Sequence, residues 1–266
     1  MKKLSIVFFA VLFVVSCNEK KDETTKHNDL FMDNLKGSVQ QITETPYQVD
    51  STGRMGAIDS CCITMLQYDS AGNNIKYASK DSKGNIKFEQ TNTRYENGLY
   101  KEVISTANGK MSADIKIQLD KDGKNYATAE ETDSSGKLSS FYKDFKQNEY
   151  NQLTYMKQYK PDSSLKSTME NKFDKQLQVG NSMKDSSGKE TFSSTSKLDD
   201  KGNEIEVSRT TTTKDAKTQK DSTSTKVTKY RYDTYDDQGN WTQRTEMDDK
   251  SKTTKIAKRE ITYYKK

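Results

Sequence analysis

Carboxylates are plentiful in this chain, with 39 Asp and Glu side chains among 266 residues. Two of them flanking a glycosidic bond would make a hydrolase. Most, however, stand in turn sequences, where Asp bonds the local backbone. "DKDG" from Asp120 and "DDKG" from Asp199 have the texture of calcium loops. They lack the alternating third ligand and the terminal Glu of such a loop, so they read as turns. His27 is the single histidine and precedes any patterned segment. That excludes Ser–His triads and His-based zinc sites. No Gly-rich strand-to-helix loop is present to cradle a phosphate. The expectation is a non-enzymatic protein with no catalytic residue, no cofactor and no metal.

Three other sets of residues are candidates for binding or modification. Cys61 and Cys62 are adjacent. They are either two reduced thiols behaving as small apolar side chains, or a disulfide formed within or between chains. Trp241 in "GNWTQR" is the single tryptophan, with Tyr230, Tyr232 and Tyr235 nearby. These four are either a sugar-stacking platform or a cross-strand aromatic ladder. "DSA" at Ser70 and "DST" at Ser51 and Ser222 resemble the Asp-Ser/Thr-small pattern that is glycosylated on oxygen in exported Bacteroidota proteins.

The N-terminus carries an address. Lys2 and Lys3 precede the apolar run Leu4 to Val15, which is too short for a membrane-spanning helix of ~20 residues. A basic start, an apolar middle and a small residue at the end read as a secretory signal. "VVSC" resembles the lipobox of bacterial lipoproteins, with the cut after Ser16 and Cys17 as the lipid acceptor. Residues 1–16 are then the signal peptide and 17–34 a lipidated flexible tether. Lys21, Asp22 and Glu23 resemble the Lys-acidic-acidic signal that takes Bacteroidota lipoproteins to the cell surface. This resemblance implies an outer-membrane, lipid-anchored, surface-exposed protein.

What must position the candidate residues is a repeat. Gly72, Gly84, Gly98, Gly109, Gly123 and Gly136 recur every 11 to 14 residues, and Gly188 and Gly202 keep the spacing. Two kinds of turn alternate. One follows an apolar residue, as in "YDSAGNN", "LDDKGNE" and "YDDQGNW". The other lies halfway between, as in "KDSKGN" at Asp81 and "KDSSGK" at Asp185. Gly supplies the positive φ of tight hairpin turns. Between turns about eight residues remain, the length of a strand. They alternate, with Ala113, Ile115 and Ile117 on one face and Asp114, Lys116 and Gln118 on the other. Gly84, Gly109, Gly136 and Gly188 are expected in hairpin turns.

"YDSAGNNIKYASKDSKGNIKFEQTNTRYENGL" is similar to the YD repeats of the RHS type, and "LKGSVQQITETPY" resembles the strand that opens such repeats in Bacteroidota lipoproteins. The resemblance covers residues 35–266 and implies an all-β domain of hairpin units. We expect a meander of about 13–14 strands in ~26-residue repeats, twisted and curled as a half-open barrel. The alternative is a flat single-layer sheet, similar in texture to outer surface protein A of spirochaetes. "TTTTKDAKTQKDSTSTK", within the low-complexity stretch 210–226, is either a mobile loop or an extended polar hairpin.

The 44 basic and 39 acidic side chains alternate along the chain, so no nucleic-acid footprint is present. The expected function is non-catalytic: a membrane-anchored lipoprotein that binds or displays a ligand, with a protein or glycan partner. The alternative is an accessory subunit or immunity-type partner. Polar "Y-x-N-G-x" hairpins such as that at Tyr95 resemble MORN-like repeats of antitoxin components.

Overall fold

The computed structural model describes residues 29–215, 218 and 220–265. After one 3₁₀ turn at Asp29–Phe31, every regular element is a strand. The chain first lays down β1 (Val39–Val49), β2 (Met55–Ile58) and β3 (Ile63–Tyr68). The repeats then supply β4 (Asn74–Lys80), β5 (Ile86–Arg94), β6 (Tyr100–Ala107), β7 (Lys110–Leu119), β8 (Tyr126–Asp133), β9 (Leu138–Gln147) and β10 (Leu153–Tyr159). They continue as β11 (Leu165–Asp174), β12 (Leu177–Asp185), β13 (Glu190–Leu198), β14 (Glu204–Lys214), β15 (Asp221–Tyr235), β16 (Trp241–Met247) and β17 (Thr253–Tyr263).

The turns follow from their side chains. In "KDSKGN", the Asp81 carboxylate accepts the N–H groups of Lys83 (3.0 Å) and Asn85 (2.9 Å). Gly84 N–H donates to the Asp81 carbonyl at 2.9 Å, with Gly84 at φ +84°. Gly109, Gly136 and Gly188 also have positive φ, as expected. Where the glycine is missing, Asn151, Ser163 and Lys175 take that conformation instead.

Each strand from β3 to β17 pairs antiparallel with the next, and β1 pairs with both β17 and β3. Sixteen strands therefore close into a barrel, while β2 pairs with β1 as an outlying flap. The expected barrel-like meander is therefore present, closed rather than half-open, and the flat layer is ruled out. The cause is β1: its register places Ile42 opposite Ile261 on one side and Leu66 on the other, so both edges of the meander are used up. The strand count rises because β1 to β3 precede the legible repeat and several turns lack glycine. Pro46 lies inside β1, at the point where its pairing passes from β3 to β2.

The alternation decides what lies inside. On β7, Ala113, Ile115 and Ile117 are buried and enter the core with Val103, Tyr126, Tyr142, Leu153 and Met169. This core fills the lumen beside β6 to β11. The opposite face carries cross-strand ion pairs: Lys76–Glu89 (2.7 Å), Lys157–Asp144 (2.8 Å), Lys184–Glu170 (3.4 Å) and Lys197–Glu206 (2.7 Å).

The two kinds of turn fall at opposite ends of the barrel, as successive hairpins require. The N-terminal segment lies across the end with the "YDSAGNN"-type turns. Asp29 N–H donates to the Gly72 carbonyl, and its carboxylate takes the Asn74 N–H and pairs with Arg94. Asn34 Nδ2 donates to Asn203 Oδ1 at 2.8 Å. Asn240 brackets the Lys36 backbone, accepting its N–H at 2.7 Å and donating to its carbonyl at 2.9 Å. Leu30 and Leu35 pack on Val39, Ile42 and Tyr68. Residues 29–36 are thus a plug, and the expected tether is folded from Asp29 onward. Of residues 210–226, those described pair as a polar hairpin out to Lys214 and Asp221, and the Thr210–Thr225 and Thr212–Thr223 hydroxyls bond across β14 and β15.

Candidate functional site

Behind the plug, the lumen beside β12 to β17 is not filled by apolar side chains. It holds a cavity of about 390 Å³. The turn at Asp236 positions one wall. Its Asn240 is clamped to Lys36, and Tyr263 OH donates to the Asp236 carboxylate. The next residue, Trp241, enters the lumen 6% exposed. Arg244 follows three residues later, a spacing that puts side chains on opposite faces of a regular strand. Register shifts between Tyr232 and Tyr235 on β15 break that alternation, so Trp241 and Arg244 share the inner face.

Arg259 of β17 lies in register with Glu44 of β1, and its Nε donates to Glu44 Oε2 at 2.9 Å. Arg244 Nη2 donates to Glu44 Oε1 at 3.0 Å. One carboxylate from the first strand is therefore held by two guanidinium groups from the last two. Their side chains are 13–21% exposed. Burial alone would raise the Glu44 carboxyl, but Arg244 and Arg259 more than offset it and hold it below the usual range. Burial pushes Arg259 down, with Glu44 opposing and Arg244 adding to the shift.

The aromatics complete the cluster. Arg259 Cζ lies 3.5 Å from the Trp241 ring centroid, and Arg244 Cζ lies 4.7 Å from both Trp241 and Tyr230. Tyr232 packs tilted on Trp241 at 5.6 Å and donates its hydroxyl to the Glu204 carbonyl at 2.9 Å. Arg244 Nε and Arg259 Nη1 are buried without an acceptor. The cluster thus holds more donors than its carboxylates satisfy, an arrangement that can bind a further acceptor.

Of the residues singled out from sequence, Tyr230, Tyr232 and Trp241 meet around Arg244. Tyr235 sits at the plugged end with Lys201 over its ring at 4.4 Å. Cys61 and Cys62 are joined by a disulfide in the link from β2 to β3, at the end away from the plug. Ser51 and Ser70 are exposed in turns, and Ser222 is exposed on β15. Cys17, Lys21, Asp22 and Glu23 lie outside the described residues. Among the described residues no group of three or more His, Cys, Asp or Glu side chains is placed to hold a metal ion.

Glu44, Arg244 and Arg259 were not singled out from sequence. A signal for the arginines was present. The chain has only six, Arg54, Arg94, Arg209, Arg231, Arg244 and Arg259, among 44 basic residues. Arg209, Arg244 and Arg259 line the cavity, and Arg94 is buried against Asp29. Four of the six thus face the interior, where the more weakly hydrated guanidinium is the better cation, while Arg54 and Arg231 are exposed.

The chain matches no protein-family model and no curated protein. Among solved structures it is similar to a porin-like protein from Bacteroides uniformis, at 13% identity and TM-score 0.51, over 85% of this chain and 98% of that one. A porin-like protein from Bacteroides vulgatus aligns at 11% identity and TM-score 0.32, over 85% of this chain and 98% of that one. The TcdB2–TccC3 complex component without its hypervariable C-terminal region aligns at 10% identity and TM-score 0.30, over 91% of this chain and 14% of that one. At 13% identity the first likeness extends to the fold.

Proposed function

We propose that this is a lipid-tethered outer-membrane protein whose barrel stands in water and binds a small ligand in its lumen, without catalysing a reaction. One observation carries the reading: the barrel is closed, yet its outer wall is charged. A barrel that crosses a bilayer presents an apolar band outward, and each Arg or Lys near the midplane costs about 2–4 kcal/mol. Here Lys76, Lys157, Lys184 and Lys197 pair with acidic partners across that wall. Attachment then falls to Cys17, whose acyl chains would hold the protein at ~0.8 kcal/mol per buried CH₂. The plug is the first described segment after Cys17, so on this reading the plugged end faces the anchoring membrane. The β14–β15 hairpin and the Cys61–Cys62 disulfide face away from it. Lys21, Asp22 and Glu23 support exposure at the cell surface.

Cell fractionation tests this. The wild-type chain should sediment with the outer membrane, and Cys17→Ala should leave the protein unprocessed or release it in soluble form without detergent. A processed Cys17→Ala chain that stays in the membrane and needs detergent would mean that the barrel itself is inserted.

A second reading, a protein partner on the outer wall, rests on Phe141 and Tyr159 stacked at 5.2 Å across β9 and β10. Tyr155 lies on the same strip, with Lys146 5.2 Å from its ring centroid. Loss of a co-purifying protein on Tyr159→Ser, with an unchanged thermal transition, would favour it.

A further inference from the structure

We propose that the lumen cavity takes a small hydroxylated molecule bearing one carboxylate or phosphate group, set against Arg244 and Arg259. This rests on the lumen-binding reading above and names its ligand class. Two guanidinium groups bring ten N–H donors to this wall. The Glu44 carboxylate occupies one donor of each, Arg244 also reaches Glu246 at 3.5 Å, and Arg244 Nε and Arg259 Nη1 have no acceptor. Arginine pairs bind oxyanions by such paired donors.

The remaining lining fixes the rest of the ligand. Arg209 joins Arg244 and Arg259, against Asp33 and Glu204 as the acidic lining residues. Both acids are engaged: Asp33 accepts the Tyr68 hydroxyl at 2.5 Å, and Glu204 accepts the Ser196 hydroxyl at 2.5 Å. Burial raises the Asp33 carboxyl, with the Tyr68 hydroxyl and Arg259 opposing. Glu44 already balances part of the arginine charge, so the case for an oxyanion rests on the guanidinium nitrogens Arg244 Nε and Arg259 Nη1, which have no acceptor. Ser194, Asn181 and Gln178 offer hydrogen bonds to hydroxyl groups. Trp241 offers less stacking surface than its size suggests, because a guanidinium covers one face at 3.5 Å. The cavity of about 390 Å³ falls within the roughly 300–1,000 Å³ typical of small-ligand sites.

Trp241 is the only tryptophan, so its emission reports on this cavity alone. The full chain, with its lipid anchor in detergent, is titrated with glucuronate, glucose 6-phosphate, glucose and inorganic phosphate. Saturable changes with the first two, at least tenfold tighter than with glucose or inorganic phosphate, are expected. Arg259→Lys keeps the charge but loses the fork and should weaken binding at least tenfold. Arg209→Gln, on the open side of the cavity and away from the closing strands, should weaken it while leaving the thermal transition in place. Equal binding of glucose would overturn the oxyanion assignment and leave the lumen-binding reading standing. Inorganic phosphate binding as tightly as the sugars would overturn the hydroxylated body. No saturable change with any probe, or binding unaffected by both arginine variants, would overturn the inference. The tethered-barrel reading is decided separately, by fractionation of Cys17→Ala.

Discussion

Gly84 and Gly202 have the same conformation, with φ of +84° and +83°, but an added methyl group would meet different surroundings. At Gly84 nothing lies within 4 Å; at Gly202 it would come 2.7 Å from Leu177 Cδ1 and 3.3 Å from Asn34 Oδ1. Gly84→Ala should therefore cost only the left-handed strain, about 1–2 kcal/mol. Gly202→Ala should cost more, because it also pushes on the plug; urea unfolding of the two variants compares them. The turn aspartates set the acid limit. Asp133 is held below its ordinary value by the Ser135 hydroxyl and the N–H groups of Ser135 and Lys137, and Asp162 and Asp185 have similar partners. A carboxyl depressed in the folded state adds stability above its unfolded value of 3.8 and loses it as pH falls through the folded value. Unfolding midpoints measured from pH 7 to pH 2 should hold near neutrality and drop below about pH 4. A flat profile down to pH 2 would remove the turn carboxylates from the account. These turns were legible in the sequence because Asp, Gly and Asn act within five residues of one another.

At the scale of elements, the hairpin 210–226 and the plug 29–36 behave in opposite ways. Pairing of β13 with β14 ends at Thr211, and pairing of β16 with β15 begins at Lys229, so residues 212–214 and 221–223 pair only with each other. Its residues are mostly exposed, and each threonine pair contributes roughly 0.2–1 kcal/mol. Replacing residues 212–223 by an Asn-Gly turn should move the melting temperature by only a few degrees. Deleting residues 29–36 removes Leu30 and Leu35 from the core and leaves Arg94 without Asp29. That deletion should destabilise by about 3 kcal/mol or more. Calorimetry of both variants checks the contrast. Low-complexity composition left the hairpin open to two readings. The plug was invisible in the sequence, since Asp29 and Asn34 look like any charged tether until Asn74, Arg94 and Asn203 are brought to them from far along the chain.

For the whole molecule, local patterns gave the strands, their alternation and the two ends, but closure depends on pairing across more than 200 residues. Nothing near Ile42 points to Ile261, and nothing near Glu44 points to Arg244 and Arg259. The same event that closes the barrel assembles the cluster beside the cavity, so the lumen site stands or falls with the seam. Hydrogen exchange read by mass spectrometry tests the seam directly. If β1 and β17 pair, amides across 42–45 and 256–261 should be protected as strongly as those of β7 and β8 in the middle of the meander. Rapid exchange of β1 and β17, with β7 and β8 protected, would show an open sheet with two free edges and no enclosed lumen.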